Sequence, residues 1–484
     1  MEFETVIGLE VHAQLLTKSK MYCGCSTDYA SAEPNSHVCP VCLGLPGALP
    51  VINHDAVNYS ISTGLALNCS IPNFSKFDRK NYIYPDLMKG YQISQYDLPF
   101  CVDGHLDIDV GETSRTVGIR RVHLEEDTAR LVHRSSGGET YSLVDVNRSG
   151  APLMEIVSDP DLRSPEEARL YLIALRQILR YIEVSTANME EGAFRCDANV
   201  SQRSVDGTLV GAKVEIKNMN SFRSVERALA FEVERQRAAL RNGERIEQET
   251  RGWIEDRGVT VSQRTKEFAH DYRYFPEPDL PPLALRAADI DDLRQGMHEL
   301  PRARIERFQR QYGLTLADAN VLTAEKPVAD YFEAANGDDA QYARQLSNWI
   351  TGEIFALMRE RGLEIDLVQI TPGQLRQLVA LVESGKINIR TAKEVLIAVH
   401  ETGSNPETVV ADRGLSQVSD AAQLDVVVRS TLDMNPSAVA DYENGKPAAA
   451  GFLIGQIMRQ TRGTANPAIV RQLLIEALKE RSSR

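Results

Sequence analysis

The sequence predicts an α+β chain: an antiparallel-sheet-rich N-terminal domain over 1–288, an all-α helical domain over 289–403 and a small helical tail domain over 406–484. Three observations point there. Up to about Leu283, short runs with period-2 alternation are separated by turn residues, the pattern of half-buried strands. A cluster of prolines, Pro276, Pro278, Pro281 and Pro282, then interrupts the chain. From Asp289 the apolar residues recur at helical spacing, beginning with Leu293, Leu300, Ile305 and Phe308 and continuing with short breaks to about Gly403. A length of 484 residues fits about three domains at roughly 100–200 residues each.

Within the first domain only two long helical patterns interrupt the strands. One follows Ser164-Pro165-Glu166-Glu167, which supplies an N-cap, a proline at the first helical position and two acids near the positive end of the dipole. The other opens after Asn220-Ser221 and runs to Gly243, a C-terminal stop. The linker to the tail is read at Glu401-Thr402-Gly403-Ser404-Asn405-Pro406. In the tail, Asn435-Pro436 and Asn466-Pro467 each place an N-cap residue before a proline, and Gly445 and Gly463 precede the next element.

The composition is near the globular average, with 43% hydrophobic and 25% charged residues, which excludes wholesale disorder and fibrous repeats. No apolar run reaches the roughly 20 residues a membrane helix needs. The acidic opening Met1-Glu2-Phe3-Glu4 is unlike a secretory signal, so a cytoplasmic protein is expected. The net charge of −14 argues against nucleic acid binding over the whole surface. Yet from Lys446 onward seven basic residues face two acidic ones, a surplus of five that leaves −19 for the rest. Lys446, Arg459, Arg462 and Arg471 are therefore candidate contacts to a nucleic acid backbone; a solvated helical face is the alternative.

Side chains two apart on a strand share a face. In Ile7–Leu15 the polar face presents Glu10, His12 and Gln14; in Arg121–Glu125 it presents Arg121, His123 and Glu125. Arg195, Asp197, Asn199 and Ser201 form a third such face, and Lys213, Glu215 and Lys217 a fourth. A water-facing sheet is the plain alternative. The residue types are selective, however. Carboxylates with an imidazole are ligands for a hard or borderline divalent ion, and Glu10, His12, Glu125 and Glu215 are the candidate magnesium ligands. Nearby Arg and Lys suit a transferring phosphoryl group. There is no G-x-x-x-x-G-K-[ST], G-x-G-x-x-G or H-E-x-x-H, so any ATP grip is not a P-loop.

Cys23-x-Cys25 and Cys39-x-x-Cys42 are two close pairs, a spacing that fits a structural four-thiolate zinc site, with two buried cysteine pairs as the alternative. With seven cysteines in a reducing compartment, ligation is favoured over disulfides, and Cys69, Cys101 and Cys196 are expected to be small core residues.

Eight ordered motifs resemble the GatB family, the B components of the aspartyl/glutamyl-tRNA amidotransferases. They are Gly8-Leu9-Glu10-Val11-His12, Cys39-Pro40-Val41-Cys42-Leu43-Gly44-Leu45-Pro46-Gly47, Tyr84-Pro85-Asp86-Leu87, His123-Leu124-Glu125-Glu126-Asp127, Asn147-Arg148-Ser149-Gly150, Phe194–Val200, Glu215-Ile216-Lys217-Asn218 and Asp271–Asp279. Gly451-Phe452-Leu453 and Ala465-Asn466-Pro467 extend the resemblance through the tail. Met88 departs from it, since the family usually has proline there. Some members lack the four cysteines, which makes zinc an accessory to folding.

The resemblance implies a sheet-rich cradle, a helical domain and a helical tail. It also implies a heterotrimer in which a GatA-type glutaminase releases ammonia from glutamine and a small GatC-type component holds the parts together. The GatB component then uses ATP and Mg2+ to phosphorylate the side-chain carboxylate of a misacylated tRNA, and ammonia displaces the phosphate. Lys80, placed mainly by the family motif Phe77-x-Arg79-Lys80, joins Arg195, Lys217 and Asp197 as a candidate catalytic residue. A non-catalytic tRNA-binding scaffold and a stand-alone metal phosphohydrolase are the alternatives.

Overall fold

The computed structural model describes residues 3–204, 211–265, 272–337, 340–415, 421–461 and 465–482. The chain divides into two compact units, Met1–Pro301 and Arg302–Arg484. The first is built on an eight-stranded sheet in the order Val259–Thr265, Glu249–Ile254, Val214–Lys217, Phe194–Ser204, Phe3–Gln14, Pro152–Ser158, Thr113–Glu126 and Cys101–Val110. Every neighbouring pair is antiparallel except Val214–Lys217 with Glu249–Ile254. A parallel pair needs a long crossover, and here it contains the helix Phe222–Arg241.

Alternation makes one face of this sheet apolar. Ile7, Leu9, Val11, Val122, Ile156, Ala198 and Val200 are buried in one core with Leu172, Leu175 and Leu179 of the helix Pro165–Tyr181 and Val225 and Leu229 of Phe222–Arg241. Both helices start as their sequences require: Ser164 accepts from the Glu167 N–H and Ser221 from the Ser224 N–H. A third helix, His54–Ala66, belongs to the same unit and corrects the expectation of two. It is buried around much of its circumference, through Ala56, Val57, Ser60, Ile61, Thr63, Gly64 and Ala66, so its sequence lacks a clear polar stripe.

A three-stranded sheet, Phe275–Pro276, Asp78–Asn81 and Tyr91–Ser94, lies against the polar end of Thr113–Glu126. Arg79 fastens it. Its guanidinium donates to both oxygens of Glu277 at 2.7 and 2.8 Å, stacks 4.3 Å from the Tyr91 ring centre and reaches Asp279 at 3.2 Å. The Glu277 side chain is wholly buried, so this pair holds a segment almost 200 residues away in sequence.

The break in packing falls at Pro301, later than the change of sequence texture at 288, because Ile290 of the helix Ala287–Gln295, with Leu293 and Met297, packs into the sheet core. The second unit is helical and has two hydrophobic clusters. One runs from Phe308 to Val410 and includes Val409 and Val410 of Pro406–Asp412, so this short helix packs there rather than with the tail. The other gathers Leu424, Val428, Leu432, Leu453, Ile457, Val470 and Leu474 from the helices Ala421–Met434, Ala448–Gln460 and Pro467–Ser482. Pro436–Glu443 starts with proline as expected, but the Asn435 side chain donates back to the Thr431 carbonyl at 2.8 Å instead of capping. Gly463 lies outside the described residues. Among the described residues no helix is long and apolar enough to cross a membrane.

The Arg79 clamp makes a direct prediction. Arg79→Met leaves Glu277 ionised and buried, which costs about 3–5 kcal/mol locally. Amide exchange in residues 273–285 should accelerate accordingly, and the double change Arg79→Met/Glu277→Leu should restore most of the protection.

Candidate functional site

The register of the large sheet assembles the site. His12 stands opposite Arg195 on one side and Glu155 on the other, and Glu155 stands opposite His123. Directly opposed residues share a face, so four strands present Arg195, His12, Glu155 and His123 in one row. The next row holds Lys217, Asp197 and Glu10, since Glu10 is opposite Asp197 and Asn199 is opposite Glu215. Glu125 follows His123 by two on the same face.

Ligand atoms of His12, Glu125 and Glu155 all lie within 4.8 Å of one another. His12 Nε2 is 3.3 Å from Glu155 Oε2, and His123 Nε2 is 3.4 Å from Glu125 Oε1 and 3.5 Å from Glu155 Oε2. The small sheet covers Glu125 and satisfies it: Ser94 Oγ donates to Oε1 at 2.8 Å and Gln92 Nε2 to Oε2 at 3.1 Å. Lys80 Nζ, on the strand paired with Gln92, stands 3.9 Å from Glu125 and 5.1 Å from the Tyr272 ring centre.

Burial alone would push the carboxyl of Glu125 up. Lys80, His123 and His12 outweigh it and hold the group well below the carboxylate range. Glu155 is likewise held at about 2 against its burial, by His123 and the His12 hydrogen bond, with the Glu125 charge opposing. Lys80 and Lys217 are pushed up despite burial, Lys80 by Glu125 and Lys217 by Asp197 and Glu215. The cluster is thus a deprotonated pair of carboxylates with the His12 imidazole, whose proton affinity Glu155 and then Glu125 raise against its burial; a divalent cation taking the place of that proton would meet a fitting donor set.

The structure therefore brings His12 and Glu125 of the expected set together and adds Glu155. Glu10 stands one row and Glu215 two rows from His12, and neither is in the 4.8 Å group. Glu10 accepts from Asn199 Nδ2 at 2.9 Å, and Glu215 accepts from Thr250 Oγ1 at 2.8 Å and pairs with Lys217 at 3.1 Å. Lys217 also binds Asp197 at 2.5 Å. Arg195 pairs with Asp127 at 3.0 Å, a buried carboxylate that also receives Gln14 Nε2 at 2.7 Å. The sequence signal for Glu155 is a lone acid inside the apolar strand Pro152-Leu153-Met154-Glu155-Ile156-Val157, and only its register gives it a partner.

Cys23, Cys25, Cys39 and Cys42 bring their sulfurs within 4.8 Å of one another, and all seven cysteines are free. Cys39 and Cys42 Sγ are 3.9 Å apart, near the ~3.8 Å that tetrahedral bonds of about 2.3 Å imply. The Cys39 backbone N–H donates to Cys42 Sγ at 3.1 Å. Gly44, at φ 65°, sits where a Cβ would be 2.5 Å from Lys89 Cγ, which explains glycine in the cysteine loop. Cys101 and Cys196 are buried as expected, and Cys69 is partly exposed.

In the tail, Arg459 and Arg471 are exposed, and exposed Lys446 pairs with Asp441 at 2.9 Å. Arg462 lies outside the described residues.

Two family models match the chain: one described as the GatB/GatE catalytic domain over residues 5–291, the other as the GatB domain over residues 330–478. The chain is 66% identical to the B component of the aspartyl/glutamyl-tRNA(Asn/Gln) amidotransferase of Thermomicrobium roseum over 99% of both chains. It is 56% identical to the protein of that name from Dehalococcoides mccartyi strain CBDB1, over 99% of both chains. For that from Moorella thermoacetica the figure is 53%, over 99% of this chain and 100% of the relative. Matched over nearly its whole length, by family and by relatives alike, the chain belongs to the GatB family and is one component of an amidotransferase.

Proposed function

We propose that this chain activates the side-chain carboxylate of Glu-tRNA(Gln), Asp-tRNA(Asn) or both with ATP and directs ammonia onto it, in the cytoplasm. The partners are a GatA-type glutaminase that supplies the ammonia and a small GatC-type component. The observation that carries this reading is the His12, Glu125 and Glu155 cluster with Lys80 beside it. A carboxylate oxygen attacks the γ-phosphorus and ADP leaves; ammonia then attacks the acyl carbon, loses a proton and expels phosphate. Each step moves negative charge onto oxygens that cations must meet.

His12, Glu125 and Glu155 would hold Mg2+, with Glu10 on the next row and Glu215 on the row beyond it adding to the acidic surround. Bound there, the ion supplies charge stabilisation to the phosphate oxygens. Lys80, Arg195 and Lys217 orient the phosphate and the acyl phosphate, and Asp197 positions the Lys217 ammonium. A scaffold without chemistry gives no reason for two carboxylates, two imidazoles and Lys80 to converge on one face of the sheet.

Glu155→Ala should lower tRNA-dependent ATP cleavage by about a hundredfold or more while glutamine hydrolysis by the assembled complex persists. Unchanged ATP cleavage at low magnesium would remove Glu155 from the site. The cysteine cluster should hold one structural zinc per chain. Cys42→Ser should lower the melting temperature more than it lowers the turnover of the folded fraction, as read by metal analysis and thermal scans. For the tail we propose tRNA backbone contacts by Lys446, Arg459, Arg462 and Arg471. Arg459→Glu with Arg471→Glu should raise KM for aminoacyl-tRNA and reduce the salt slope of binding by about two, leaving kcat near its original value.

A further inference from the structure

Four thiolates around a divalent zinc leave a net charge near −2, and a partly buried group of that charge needs a nearby cation. Lys20 is placed for this. It is 1% exposed, and its Nζ donates to the carbonyls of His37 at 2.8 Å and Val146 at 3.3 Å. Among the described residues it forms no ion pair with a carboxylate. Its backbone N–H donates to the Cys25 carbonyl at 2.9 Å, and its side chain shares with Cys23 and Cys42 the wall of a cavity of about 210 Å³. A Cβ added at Gly150 would stand 3.5 Å from Lys20 Cδ and 3.6 Å from Cys42 Cβ, so the lysine stem and the ligand flank one spot. Of the carboxylates on that wall, Glu126 is already held by Lys89 at 2.5 and 2.6 Å and Asp279 by Arg79 at 3.2 Å.

We propose that Lys20 is the resident counter-cation of the thiolate site, a positioning residue that sets zinc affinity through its charge and not merely a clamp on two carbonyls. This rests on reading the four thiols as a zinc site. A cation beside the ligands stabilises the loaded, fully ionised set. The effect of Lys20 on stability should therefore depend on whether zinc is bound, whereas a carbonyl clamp would act equally in both states.

The test uses the complete complex, loaded with zinc or stripped of it, with Lys20→Met, Lys20→Gln and Lys20→Arg. Chelator competition should show zinc bound about 10–100-fold more weakly in the Met and Gln variants, with Arg recovering most of the loss. The Met variant should melt at a lower temperature than wild type when loaded, and no lower when stripped. Wild-type zinc affinity in the Gln variant, or equal loss of stability in both metal states, would overturn the assignment. Gln keeps an N–H donor for the carbonyls without the charge, so it decides the matter if Met does not fold. Wild-type protein that binds no zinc at all would overturn the zinc reading itself, a result distinct from zinc bound equally by wild type and variants.

Discussion

The pairing register of the first strand is the constraint on which the rest of the structure depends. Side chains alternate with a period of two, so the row Arg195, His12, Glu155 and His123 exists only because Val11, Ile156, Val122 and Cys196 occupy the opposite face in the same register. All four of those are buried in the core that the helices share. A slip of one residue along Phe3–Gln14 would turn His12 into that core and Val11 out of it. The hydrophobic effect, acting on one side of the sheet, thereby fixes the geometry of the polar groups on the other. No polar interaction within the site has to choose its own partners.

What the register assembles, the small sheet finishes. Two adjacent ionised glutamates are unfavourable in a partly dry environment unless positive charge and hydrogen bonds compensate them. Ser94, Gln92 and Lys80 provide these from strands that reach over Glu125, and Arg79 with Glu277 keeps those strands in position. The Tyr-Arg-Tyr-Phe-Pro-Glu-Pro-Asp run at 272–279 thus serves the site through the placement of Lys80. Two of its aromatic rings, Tyr272 and Tyr274, lie 6.1 Å apart, and Tyr274 stacks on Tyr96 at 4.3 Å.

Much of this was legible in the sequence, because strand alternation and helix caps are local. The polar faces through Glu10, His12 and Gln14 and through Arg121, His123 and Glu125 follow from spacing alone, as do the caps at Ser164 and Ser221. What depends on distant partners was not. Glu155 acquires meaning only opposite His12 and His123, and its strand reads as a plain apolar run. The parallel pairing of Val214–Lys217 with Glu249–Ile254 is a matter of topology, and the helix His54–Ala66 is hidden by burial on several sides. Residues on one face in sequence also fall into separate groups in space: Glu10 and Glu215 share a side of the sheet with His12 but stand on other rows.

The central position of the N-terminal strand has a consequence for synthesis on the ribosome. Its two sheet neighbours are Pro152–Ser158 and Phe194–Ser204, so this strand pairs only with segments made some 140–190 residues later. At about 5–20 residues per second, the apolar side of Phe3–Gln14 waits on the order of 10–40 s for its last partner. During that interval Ile7, Leu9 and Val11 are an unpaired hydrophobic strand, the kind of segment that nascent-chain chaperones must shield. The placement that makes His12 the centre of the row also leaves its strand in need of protection until Phe194–Ser204 has been made.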